Sequence, residues 1–209
     1  MAYSKFTIEI LLDRFGIQLQ GCVGLFAGAP SVSIRPWLKE TLEQNLPLAS
    51  AIRTEKARSE LIVMPVLLEV WNHFDRKISL FSGLDFPVDR KLGLDGFCDY
   101  LIGLSSEQVV VRAPVVALVE TKKDDPNEGL AQCIAEMVGA QHFNQKQNET
   151  LSTIYGVATS GTAWRFLKLT ESVVEMDMSD YYISDVEKII GILCYMVQSG
   201  LTEQKNGVQ

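Results

Sequence analysis

Apolar positions along the chain follow two rhythms, one near 3.6 residues and one of two. After Thr54, a good N-cap with Glu55 in the first turn, Ala57, Leu61, Met64, Leu68 and Trp71 recur at helical spacing. Pro65 lies inside that stripe and removes one backbone donor, which predicts a kink in a helix that continues past it. Three strand-like runs follow at residues 78–88, 96–103 and 114–121. Gly83 predicts a bend in the first, glycines bracket the second, and the third, PVVALVET, reads as a central strand buried on both faces. Asp125 as N-cap, Pro126 at N1 and Glu128 at N3 open a helix in the manner of a capping box, and Leu130, Cys133, Ile134, Met137 and Val138 carry it to about Phe143. Residues 152–159 and 163–170 read as strands joined by a Ser160-Gly161-Thr162 hairpin turn. Val186, Ile189, Ile190, Leu193 and Val197 predict a last helix over 184–198.

The first fifty residues are less patterned. Residues 5–15 read equally as a short helix or a strand. Residues 15–34 carry no charge, yet their glutamines, glycines and Pro30 fit strand and turns rather than a membrane span. Residues 37–46 read as a short helix begun after Pro36 and stopped before Pro47. The whole order is helix, three strands, helix, two strands and an extra C-terminal helix. This is an α/β arrangement with a central mixed sheet flanked by helices. One domain over 1–209 is expected, with a core at 50–170, an N-terminal extension at 1–49 and an acidic, helical C-terminal segment at 171–209.

Composition sharpens this only in places. With 209 residues, 47% hydrophobic and 22% charged, the chain falls among globular proteins and outside the disordered, collagen-like and disulfide-miniprotein classes. A net charge of −7 argues against a broad basic footprint for nucleic acid or membrane. Six acids and one base fall between Glu171 and Lys188, however, so the rest of the chain is nearly neutral and leaves room for a modest basic groove. Cys22, Cys98, Cys133 and Cys194 lie far apart, and His73 and His142 stand alone, which argues against a zinc site. Glu9 and Asp13 interrupt the first apolar stretch, so no signal peptide is read there and a reduced, cytoplasmic setting is expected.

The candidate chemistry lies at the end of the central strand. With a side-chain period of two, Val116, Leu118, Glu120 and Lys122 project to one face. An apolar strand that ends in a carboxylate and an ammonium is burying groups that need each other, a metal or solvent. The strand before it carries Asp99, an acid with poor β propensity. If the two strands are neighbours, Asp99 and Glu120 converge, and two carboxylates that close call for a cation. Mg²⁺ suits two carboxylates completed by water and phosphate oxygens, and Lys122 is placed to help deprotonate an attacking water or to stabilise charge developing on phosphorus.

Asp99, some twenty residues, then Glu120-x-Lys122, on strands set between two helices, resembles the PD-(D/E)XK nuclease superfamily over roughly residues 50–170. The resemblance implies a restriction-endonuclease-like core and Mg²⁺-dependent (or Mn²⁺-dependent) hydrolysis of phosphodiester bonds, in DNA above all. Asp99 and Glu120 would then be the metal ligands and Lys122 the catalytic base or charge stabiliser. Glu60 is similar in place to the acid that many members carry on the first core helix, and Gln132 to a glutamine of restriction-type nuclease domains. The leading proline of the superfamily name is replaced here by Cys98. Arg53, Lys56, Arg58, Lys123 and Lys146 are available to grip a phosphate backbone, and with no base-reading motif, specificity would come from a homodimer or a larger complex.

Each position also has an ordinary structural reading. The Glu120-Thr121-Lys122 strand end emerges into solvent, Asp99 caps the nearby turn, Glu60 pairs with Lys56 at i−4, and Gln132 is a solvated helix residue. The histidines interact with helix C-termini, and Trp164 and Tyr155 pack the sheet. A binding or assembly module that keeps the fold without turnover is the rival function, and a hydrolase of a small phosphoester, which needs a closed pocket, is a third.

Overall fold

A computed structural model describes residues 2–149 and 151–206. Helix α1 (Ile8–Phe15) settles the choice between helix and strand at the N-terminus. Thr7 caps it by accepting the Ile10 amide, and Gly16 ends it with φ 64°. Strand β1 (Gln18–Cys22) follows. Helix α2 (Pro36–Ile52) runs six residues past the predicted stop, with Pro47 inside it. Pro47 and Glu43 are both exposed, so water can take the carbonyl that the missing donor leaves free.

Helix α3 (Glu55–Arg58) leads through a π turn (Ser59–Val63) into α4 (Met64–His73). The kink expected at Pro65 is thus expressed as a widened turn just before it. Pro65 cannot bond the Leu61 carbonyl, and Asn45 Nδ2 of α2 takes that carbonyl instead at 2.8 Å. Strands β2 (Ser79–Asp85), β3 (Phe97–Gly103) and β4 (Val115–Thr121) follow, β4 buried throughout as predicted. Gly83 bends β2 with φ 62°. Asp125 caps a 3₁₀ turn (Pro126–Gly129) that feeds α5 (Leu130–Lys146). Strands β5 (Thr153–Thr159), β6 (Ala163–Thr170) and β7 (Val173–Asp177), the two-residue β8 (Tyr181–Tyr182) and helix α6 (Val186–Asn206) complete the order.

The protein is therefore an α/β structure with one open, mixed, eight-stranded sheet in the order β1-β7-β6-β5-β4-β3-β2, β8 pairing β6. Two strands of this sheet were not expected from the segment 171–209, whose described residues are helical only over 183–206. Val173, Val174 and Met176 build β7 instead, and β1 adds to it in parallel. β4 and β5 are parallel, so α5 is their crossover. Gly156 of β5 faces Met137 and Cys133 of α5, while its neighbour Tyr155 bonds Ser199 of α6 at 3.2 Å. Adjacent strand residues point to opposite faces, so α5 covers one face of the sheet and α6 the other. Trp164 and Tyr155 are buried, and Trp164 stacks on Phe166, which is the packing role read for them.

One detail of β4 departs from strict alternation. Its register against β3 shifts between Ile102 and Gly103, which accommodates an extra residue opposite β3. Val116 consequently packs against α6: a β-carbon on Gly200 would lie 2.7 Å from Val116 Cγ2. Leu118 pairs with Gly156 on the α5 side. Val116 is thus not on the face of Leu118, Glu120 and Lys122, and the bulge is the reason.

No helix among the described residues is long and apolar enough to cross a membrane.

Candidate active site

The carboxyl-terminal end of β4 meets the beginning of α5 and the outer end of β3. In open α/β sheets this end of the parallel strands is where ligands are received. Tyr100 pairs with Val119, which makes Asp99 and Glu120 the next opposed positions of an antiparallel pair. Asp99 Oδ2 accepts the Thr121 amide at 2.7 Å, fixing the acid across the strand end. Lys122 Nζ lies 2.5 Å from Glu120 Oε1 and 3.3 Å from Gln132 Oε1. Asp99, Glu120, Lys122 and Gln132 are therefore brought together.

Glu136 joins them. Its carboxyl accepts from Gln132 Nε2 at 3.1 Å and lies within hydrogen-bonding reach of Glu120. Four contacts close a ring running Glu120, Lys122, Gln132, Glu136 and back to Glu120. Glu136 is 0% exposed and Glu120 is 2% exposed. Sequence reasoning missed Glu136, although a signal was present: an acid within the apolar run Ile134-Ala135-Glu136-Met137-Val138, four residues after Gln132.

The charges do not balance. Burial and the proximity of Asp99 push Glu120 up to about 8, despite Lys122. Burial and then Glu120 push Glu136 well above the usual carboxyl range. Burial also raises Asp99, against the pull of the Thr121 amide and Lys122. Oε2 of Glu120 and Oε2 of Glu136 have no hydrogen-bond partner. A proton on one of the two carboxyls makes the pair donor and acceptor, which two bare carboxylates cannot be. Burial works to lower Lys122, but Glu120 outweighs it and the net shift is upward, so Lys122 is held as an ammonium.

Space around the ring is controlled by Gly129. A β-carbon there would stand 3.1 Å from Lys122 Cγ and 3.2 Å from Glu120 Cγ. On the outer side, a cleft of about 310 Å³ is lined by Glu55, Lys56, Ser59, Glu60, Ser82 and Asp99 among others. Glu60 belongs to this rim rather than to the ring: its side chain is 63% exposed and pairs with Lys56 at 3.6 Å, the ordinary i, i+4 contact. Glu55, on the same rim, faces both Glu120 and Lys122 electrostatically.

Two of the five cations considered for backbone contacts are committed elsewhere. Lys146 bonds the Val88 carbonyl and Asp89, roughly 20 Å along α5 from Gln132 at 1.5 Å of rise per residue. Arg58 is largely buried, bonded to the Ser160 carbonyl at 3.2 Å and paired with Asp124 at 3.8 Å.

The donor set suits a hard cation. Asp99 and Glu120 are carboxyls at opposed positions of neighbouring strands, and Glu120 Oε2 lacks any protein donor. Among the described residues no group of three or more His, Cys, Asp or Glu is arranged to hold a metal ion, so the rest of its shell would be water or substrate oxygen. All four cysteines are free thiols, and none belongs to the ring. Compared with models of known protein families the sequence matches none, and no curated protein matches it.

Proposed function

We propose that the protein is a Mg²⁺-dependent nuclease of PD-(D/E)XK type, with a restriction-endonuclease-like core, that hydrolyses phosphodiester bonds in DNA. The observation that carries this reading is the arrangement, at one sheet end beside an open cleft, of Asp99, Glu120 and Lys122. A long polymer needs an open groove, and this cleft is open to solvent between β2, β3 and the turn before α4.

Asp99 and Glu120 would hold the ion. When bound, Mg²⁺ supplies positive charge against the scissile phosphate and lowers the pKa of a coordinated water. The chain's own residues do the remaining work. Lys122 keeps its proton beside Glu120, so it serves as a hydrogen-bond donor and charge stabiliser for phosphate oxygens rather than as the base. Gln132 holds that ammonium in line, and Lys56 at the rim is the cation that first meets the phosphate backbone. Glu60 restrains Lys56 there.

Incubating supercoiled and linear DNA with Mg²⁺ or Mn²⁺ tests the proposal. Wild-type protein should cut, and Asp99→Ala and Lys122→Ala should lower the rate by about 10²- to 10³-fold, the scale for removing a group that stabilises transition-state charge. Persistent cutting by either variant would reject the assignment. The rival reading, a binding module without turnover, draws on the way Lys122 already occupies Glu120 Oε1. It wins if wild-type protein cuts neither DNA nor RNA and calorimetry shows no divalent-ion binding.

A further inference from the structure

Glu136 is a fully buried acid that the proposed chemistry does not use. Buried polar groups are expected to be satisfied, and an acid at 0% exposure between Ala135 and Met137 is a poor way to fill a core. Gln132 Nε2 donates to its carboxyl at 3.1 Å. That same side chain presents Oε1 to Lys122 Nζ at 3.3 Å.

We infer that Glu136 is a positioning residue for Lys122: as an acceptor it fixes which end of the Gln132 amide faces the lysine. The two ends of a glutamine amide have nearly the same shape and opposite hydrogen-bonding character. With Nε2 on the Glu136 carboxyl, Oε1 is left for the ammonium. With the amide turned over, an NH₂ would face Lys122 and an oxygen would face Glu136, and both contacts would fail. Gln132 is only partly buried, so without Glu136 it is free to turn out of the ring toward solvent. Lys122 would then be held by Glu120 alone.

The consequence for catalysis rests on the proposed nuclease reading; the geometry does not. The test therefore measures Lys122 directly. Folded protein is treated with a limiting amount of an amine-acylating reagent, and modification is quantified by peptide mass spectrometry, with exposed Lys56 as internal reference. In Glu136→Leu, Lys122 modification relative to Lys56 should rise about two- to tenfold, the scale of one lost hydrogen bond. Glu136→Gln keeps an acceptor oxygen, and its NH₂ can donate to Glu120, so it should stay within about twofold of wild type, inside that same scale.

Gln132→Met breaks the link with Glu136 intact and should show the same rise, which decides the matter if Glu136→Leu does not melt cooperatively. In the Gln132→Met background, Glu136→Leu should add nothing. Unchanged Lys122 modification in folded Glu136→Leu or in Gln132→Met overturns the inference. So does an additive double variant, or a Glu136→Gln variant as reactive as Glu136→Leu. A parallel assay of DNA cleavage with Mg²⁺ should show Glu136→Leu lowering kcat with little change in KM. A wild-type protein that does not cut would sink the nuclease reading while leaving the labelling result to judge Glu136.

Discussion

Asn45 donates its side-chain amide to the Leu61 carbonyl at 2.8 Å, from one helix to the next. That carbonyl is the one Pro65 cannot serve, since a proline has no N–H to return to position i−4. The bond therefore joins α2 to the wide turn leading into α4, next to the Ser59 hydroxyl that holds Tyr100 at 2.6 Å.

Asn45→Ala removes the substitute donor and should destabilise the protein by about 1–2 kcal/mol, the scale for leaving a partly buried carbonyl unpaired. Urea unfolding measures this. An unchanged midpoint would mean that water serves Leu61 as well as Asn45 does.

Stability of the metal-free protein should fall as pH rises. Glu120 is pushed up to about 8 in the fold, against an ordinary value of 4.5. The folded state thus holds a proton that the unfolded chain releases at lower pH. The stabilisation is complete below about pH 4.5 and is lost as pH rises through about 8, with a slope of at most about 1.4 kcal/mol per unit for one group. Melting curves from pH 5 to 8.5 should show the decline, and Glu120→Gln should flatten it. Saturating Mg²⁺ should also flatten it on the proposed reading, since a cation replaces the proton.

Gly129→Ala probes the room around the ring. Gly129 has φ −91° and ψ −8°, so alanine meets no backbone strain there. Its β-carbon would instead press on the Lys122 and Glu120 side chains. We expect a melting temperature close to wild type and a loss in cleavage of about tenfold, equivalent to about 1.4 kcal/mol of barrier. Full activity would show that the ring tolerates displacement.

Asp177 predicts a local effect far from the chemistry. It is 0% exposed and takes the amides of Gly24 and Phe26 at 3.1 Å each, the Ser179 amide at 2.9 Å and the Tyr181 hydroxyl at 2.9 Å. Asp177→Asn puts an NH₂ among these donors and should cost about 2–3 kcal/mol. Hydrogen exchange should quicken first at Gly24 and Phe26; uniform quickening across the sheet would argue against a local staple.

The elements from Thr54 to Thr170 were legible because their apolar spacing and end residues agree: Thr54 and Asp125 both cap, and β4 is buried throughout. The convergence of Asp99 with Glu120 and Lys122 followed from strand adjacency plus a period of two. What the pattern concealed has local causes. The bulge that redirects Val116 leaves no trace in a run of valines, and Pro47 reads as a stop because solvent access to the Glu43 carbonyl is a tertiary fact. β7 was hidden by its acids: Glu175 pairs with Lys168 at 2.8 Å and Asp177 turns inward, so both belong to a paired strand rather than a solvated helix. Glu136 required knowing that α5 lies over the end of β4.

β1 runs parallel to β7, Gln18 beside Val173 and Cys22 beside Asp177. On the ribosome β1 has no partner strand until some hundred and fifty further residues have been made. Residues 18–22 must wait as an open ribbon, exposed to other nascent chains, and the sheet gains this margin only after β7 has been made.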